Sequence, residues 1–116
     1  MTHPEETIQR ACVMWFAYQY PDIAPLLHHS PNGGYRTKRE AAIFKSMGTR
    51  AGFPDLILLV PRGGCPYLCI ELKTDKGRQS PQQKNYQQIV ESVGAKYAVV
   101  RSLEEFIDIT TNYLKQ

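Results

Sequence analysis

The sequence predicts an α/β protein built on a small mixed β-sheet, an antiparallel hairpin plus a parallel strand, flanked by helices. Three observations carry this. Two apolar runs, 55–60 and 67–73, flank the Gly-rich loop PRGGCP and read as a hairpin. A capped helical stretch over 81–93 then leads into KYAVV (96–100), a third strand-like run. A strand, helix and strand joined in that order should lie parallel through a right-handed connection, which sets 96–100 beside 67–73.

The elements follow in order. Thr2, with Glu5 three residues on, opens a first helix that runs to about Tyr20, because Pro21 cannot continue it. Its middle, ACVMWFAY, is apolar on more than one face, so part of it is expected to be buried by a second subunit. PLLHHS (25–30) reads as a short strand and SPNGG (30–34) as a turn in which Asn32 is structural. Thr37 and Glu40 form a capping-box pattern for a helix through Met47 that stops at Gly48. Ser80 caps the next helix, with Pro81 at its first position, and that helix ends near Gly94. Ser102 and Glu105 open the last helix, which ends near Leu114.

The chain has 116 residues, read as one domain, 1–116, with room for one core. With 42% hydrophobic and 22% charged residues it is an ordinary globular composition, without repeats or low-complexity tracts. No apolar run approaches the ~18 residues of a membrane span. MTHPEETIQR sets Glu5 and Glu6 ahead of any apolar run, so it does not read as a signal peptide. Three cysteines, Cys12, Cys65 and Cys69, are an odd number and point to free thiols in a reducing cytoplasm. Cys65 and Cys69 with His28 and His29 fit no compact zinc spacing, so the cysteines read as small core residues.

The net charge of +3 is unevenly spread. Arg36, Lys38, Arg39, Lys45 and Arg50 meet only Glu40 between 36 and 50. Lys73, Lys76, Arg78 and Lys84 meet only Asp75 between 72 and 84. Basic clusters of this kind suit a polyanion, and they also occur on ordinary solvated surfaces.

The hairpin carries the chemistry. Alternation puts Glu71 and Lys73 on one face of their strand and Leu68, Ile70 and Leu72 on the other, in a core. A turn centred on Gly63 and Gly64 sets Asp55 opposite Glu71 or Leu72. Two carboxylates side by side raise one pKa unless a cation compensates. Lys73 supplies part of that compensation. A hard divalent ion supplies more and polarises water for attack. The alternative is a plain Asp–Lys–Glu surface network.

The neighbours of these residues are more specific. "PNGGYRT" (31–37), "MGTRAGFPDLILLVP" (47–61), "LCIELKTDKGRQSPQQK" (68–84) and "GAKYAVVRSLEEF" (94–106) resemble the VRR-NUC domain, the virus-type replication–repair nucleases of the PD-(D/E)xK superfamily. With Glu6, the resemblance spans nearly the whole chain. It implies a restriction-endonuclease-like core and Mg²⁺- or Mn²⁺-dependent cleavage of phosphodiester bonds. It assigns Asp55 and Glu71 as metal-binding acids, the Leu72 carbonyl as a further ligand and Lys73 as the motif lysine. Gln83 matches a glutamine near the site, a role set above completing the cap of Ser80. Glu6 matches the first-helix acid, directly or through a water, with Glu5 the second choice. Arg36, Lys38, Arg39, Lys76 and Arg78 would contact DNA phosphates, which position a substrate without reading its sequence.

Stand-alone members of this family resemble Holliday-junction resolvases. The expectation is therefore a structure-selective endonuclease acting on four-way junctions as a homodimer, in the cytoplasm of a bacterial or phage-infected cell. Cleavage of flaps or nicked duplex, and a non-catalytic DNA-binding module of the same fold, are the alternatives.

Overall fold

The computed structural model describes residues 3–31 and 37–116. Thr2, Asn32, Arg36 and the body of the SPNGG turn lie outside the described residues. Helix α1 spans His3–Gln19 and a 3₁₀ turn, Ala24–Leu26, leads into strand β1, Leu27–His29. Helix α2 covers Lys38–Ser46, strand β2 Leu56–Leu58 and strand β3 Leu68–Leu72. Helix α3 (Pro81–Ser92), strand β4 (Lys96–Val100) and helix α4 (Leu103–Leu114) complete the chain. β1, β2 and β3 are shorter than the runs that predict them, since the ends of those runs leave the ladder, while β4 matches its run of 96–100.

Local sequence chemistry sets the helix ends. Thr37 Oγ1 accepts the Glu40 N–H, and Glu40 Oε1 accepts the Thr37 N–H, closing the box at the start of α2. Ser80 and Gln83 close the same box on α3, with Pro81 just inside it. Ser102 Oγ accepts from the Glu105 N–H at α4.

The sheet runs β1-β2-β3-β4, antiparallel for the first two pairings and parallel between β3 and β4. Its two faces are covered differently. Leu56, Leu58, Leu68, Ile70, Leu72 and Val100 pack with Cys12 and Phe16 of α1 and with Phe106 and Tyr113 of α4. Full burial of each such aliphatic side chain contributes about 1.5–3 kcal/mol. On the opposite face Cys69 and Tyr97 pack with Val90 of α3 and with Ala95. β3 is therefore buried on both faces, where alternation alone predicts one core. Cys12 and Cys69 are core thiols, and burial pushes both up to about 12.

α1 buries Cys12 and Phe16 but leaves Val13, Met14 and Tyr18 outside, with Met14 73% and Tyr18 89% exposed. The second apolar face expected from ACVMWFAY is therefore left open by the described residues.

The hairpin turn fixes the register. Gly63 and Gly64 both have positive φ, as a two-residue I′ turn requires, and Arg62 and Cys65 exchange both backbone bonds across it. Three residues, 59–61, then separate Arg62 from Leu58, against two, 66 and 67, between Cys65 and Leu68. The extra residue shifts the pairing by one, as a bulge does. Leu56 consequently faces Ile70, and continuing that register sets Asp55 level with Glu71 and not Leu72. The Tyr113 hydroxyl donates to Val60 O at 2.6 Å, satisfying a carbonyl within the bulge.

Candidate active site

Asp55 stands just before β2, at the sheet end where Glu71 and Leu72 close β3. Gly52 brings the chain there. It has φ +81°, and a Cβ would overlap the backbone of Gln82 at the start of α3, so only glycine lets the two segments pack. The Leu72 N–H donates to Asp55 Oδ2 at 2.7 Å. In an extended strand the N–H and C=O of one residue point to the same edge. The Leu72 carbonyl therefore faces the Asp55 side, as a third oxygen beside the two acids.

Glu71 has no solvent exposure. Its Oε1 accepts from the Tyr97 hydroxyl and from Gln79 Nε2 at 3.3 Å. Its Oε2 is buried and has no hydrogen-bond partner among the described residues. Lys73 Nζ lies 3.8 Å from that oxygen, a charge contact beyond hydrogen-bonding reach, with the lysine side chain 13% exposed. An orphaned, buried carboxylate oxygen is costly unless a cation completes it.

Burial raises the pKa of Asp55 above its ordinary value. The Leu72 N–H opposes that, the charges of Glu71 and Glu5 add to it, and His29 pulls it back. Burial and the bond to Glu71 push the Tyr97 phenol far above its usual range, so it remains a proton donor. His29, at the end of β1, donates Nδ1–H to the Asp55 carbonyl at 2.7 Å. Arg101 pins the loop after Lys73, donating from Nη1 to Thr74 O at 2.6 Å and to Gly77 O at 2.8 Å.

The structure thus brings together Asp55, Glu71, the Leu72 carbonyl and Lys73. Glu5 and Glu6 both lie in the first turn of α1, and the charge of Glu5 adds to the upward shift of Asp55. Gln83 completes the capping box with Ser80. Its Oε1 accepts from Ser80 N–H at 2.8 Å, which leaves only its Nε2 for anything else. Lys38 and Arg39 are exposed in the first turn of α2, and Lys76 and Arg78 are exposed in the loop after β3. Tyr97, Gln79, His29 and Arg101 are site neighbours that sequence reasoning missed. The parallel register puts Tyr97 on the Glu71 face.

Among the described residues no three His, Cys, Asp or Glu side chains gather as a metal cluster. Two carboxylates and one carbonyl fit Mg²⁺ nonetheless, since that ion binds through one or two carboxylates and retains several waters. The orphaned Oε2 of Glu71 is the observation that makes the fit.

A mixed sheet between helices, with two carboxylates and a lysine at one end in PD-(D/E)xK spacing, is a nuclease-type architecture. The chain belongs to the VRR-NUC family: the model of the VRR-NUC domain matches residues 3–104. A solved structure described as a VRR_NUC domain protein is 29% identical, with a TM-score of 0.85 over 99% of this chain and 91% of that one. No curated protein matches the chain. Membership makes this a nuclease-type domain, implies DNA as its partner and joins it to a family that generally uses divalent metals. No helix among the described residues is long and apolar enough to cross a membrane.

Proposed function

We propose that this VRR-NUC domain is a Mg²⁺- or Mn²⁺-dependent, structure-selective DNA endonuclease that cuts four-way junctions. The carrying observation is the buried Glu71 oxygen without a hydrogen bond, level with Asp55 and 3.8 Å from Lys73. A module that only bound DNA would have no use for paired acids, which repel phosphate.

Asp55 and Glu71, with the Leu72 carbonyl, would hold the ion, and Glu5 is the α1 acid best placed to contribute through a water. The bound ion supplies Lewis acidity at the scissile phosphate. Lys73 orients the attacking water or stabilises charge that develops on the phosphate oxygens. Lys38, Arg39, Lys76 and Arg78 would contact phosphates on either side of the cut and set its geometry without reading sequence. Symmetric cutting of a junction needs two sites, and one chain holds one. We infer a C₂ pair joined through the open face of α1, Val13, Met14 and Tyr18.

The test is a side-by-side panel of labelled four-way, flap, nicked and linear DNA with Mg²⁺ or Mn²⁺. Paired cuts in the four-way substrate are expected to dominate. Faster cutting of flaps or nicks would reassign the substrate, and no cutting of any DNA would leave a binding module.

A further inference from the structure

The protein fixes one oxygen of each site acid and leaves the other for a ligand. Leu72 N–H holds Asp55 Oδ2. Tyr97 and Gln79 together hold Glu71 Oε1, while Oε2 stays buried without a hydrogen bond among the described residues. Neither holder of Oε1 can follow that oxygen if it turns. Tyr97 comes from β4 and its ring is packed with Cys69, Val90 and Ala95. Gln79 Nε2 also donates to Gln87 Oε1 at 2.8 Å, and Gln87 Nε2 donates in turn to Glu91 Oε2 at 3.3 Å. The carboxylate is thus tied through two amides to the outer surface of α3.

We propose that Tyr97 and Gln79 confine Glu71 to single-oxygen ligation and so select a small six-coordinate divalent ion over a larger one such as Ca²⁺. Ca²⁺ accepts six to eight oxygens at about 2.3–2.6 Å and commonly grips a carboxylate by both. Mg²⁺ demands near-octahedral geometry at about 2.0–2.1 Å, which single oxygens and waters supply. A two-oxygen grip here would pull Oε1 from a phenol that the buried ring cannot redirect, leaving that donor unpaired. Tyr97 and Gln79 are positioning residues. They act on the ion through Glu71 and touch neither ion nor substrate. The inference rests on the divalent-metal reading above and goes on to say which ion size the site prefers and why.

The experiment is Mn²⁺ binding to the DNA-free protein, followed by the electron paramagnetic resonance of free Mn²⁺, with Ca²⁺ as competitor. Wild type should bind Mn²⁺ and yield it to Ca²⁺ poorly. Tyr97→Phe keeps the ring and removes the donor, and it should narrow the Mn²⁺ to Ca²⁺ preference by roughly tenfold, the scale of outer-shell effects on metal sites. Gln79→Met should narrow it in the same direction, and it decides the matter if Tyr97→Phe does not fold. An unchanged or widened preference in a folded variant overturns the proposal while leaving the metal reading intact. Failure of wild type to bind Mn²⁺ at all overturns that reading, and this proposal with it.

Discussion

At the scale of single residues, the site is a set of charges held against their preference. Asp55 is the clearest case. Its folded pKa lies above the unfolded value near 3.8, mainly through burial. The folded state therefore binds more protons between the two values than the unfolded state does. Stability falls as pH rises through that window, and the penalty is fully present above it. Asp55→Asn, whose carbonyl can still accept the Leu72 N–H, should melt higher than wild type in EDTA at pH 7.5. The difference should vanish below pH 3.8, and Mg²⁺ should raise the melting temperature of wild type only. A variant less stable than wild type in EDTA at pH 7.5 would contradict this reading of Asp55.

The sequence exposes these residues unevenly. Asp55, Glu71 and Lys73 are legible because strand parity and hairpin register are local properties. The partners of Glu71 are not, since Tyr97 reaches it from 26 positions away across a parallel pairing. Within KYAVV that tyrosine reads only as a strand former. Which acid of α1 stands nearer Asp55 depends on the helix's rotation against the sheet, which no spacing within the helix determines.

At the scale of elements, the hairpin shows where local reading stops. Gly63 and Gly64 fix the turn, and two registers remain open from there. The bulge at 59–61 chooses between them, and Tyr113, on a helix 53 positions later, bonds to Val60 within it. Tyr113→Phe removes that donor and leaves a buried carbonyl unpaired, which should cost about 1–3 kcal/mol by urea denaturation. DNA cleavage should fall as well, because register decides whether Asp55 faces Glu71. Full stability and activity in that variant would mean that the bulge is held by other contacts. The α3 cap shows a similar limit. Ser80 and Gln83 spell a capping box and also match a nuclease glutamine, and the geometry gives the carbonyl oxygen of Gln83 to the cap.

At the scale of the whole molecule, one sheet face is committed to the core under α1 and α4, and the other builds the site under α3. The fold class, the hairpin and the parallel neighbour of its second strand follow from the sequence, because caps, a turn and one right-handed connection leave few alternatives, while the pairing of β1 with β2 does not. What lies outside α1 does not follow, since nothing among the described residues covers it. The dimer account predicts that Met14→Glu with Tyr18→Glu yields a monomer in light scattering. Folding stability should change by less than ~0.5 kcal/mol, as exposed positions allow. Mn²⁺ binding should persist while paired junction cuts are lost. A monomeric wild type at micromolar concentration would refute the pairing.

The central claim is that Asp55, Glu71 and Lys73 form a working hydrolytic site. The most direct test is cleavage of a labelled synthetic four-way junction by wild type and Lys73→Ala, each with Mg²⁺ and with EDTA. Wild type should cut with Mg²⁺ and be silent in EDTA. Lys73→Ala should still bind the junction and cut about 100- to 1,000-fold more slowly, the scale of losing one electrostatic stabiliser. Equal cutting by Lys73→Ala, or cutting by wild type in EDTA, would contradict the account.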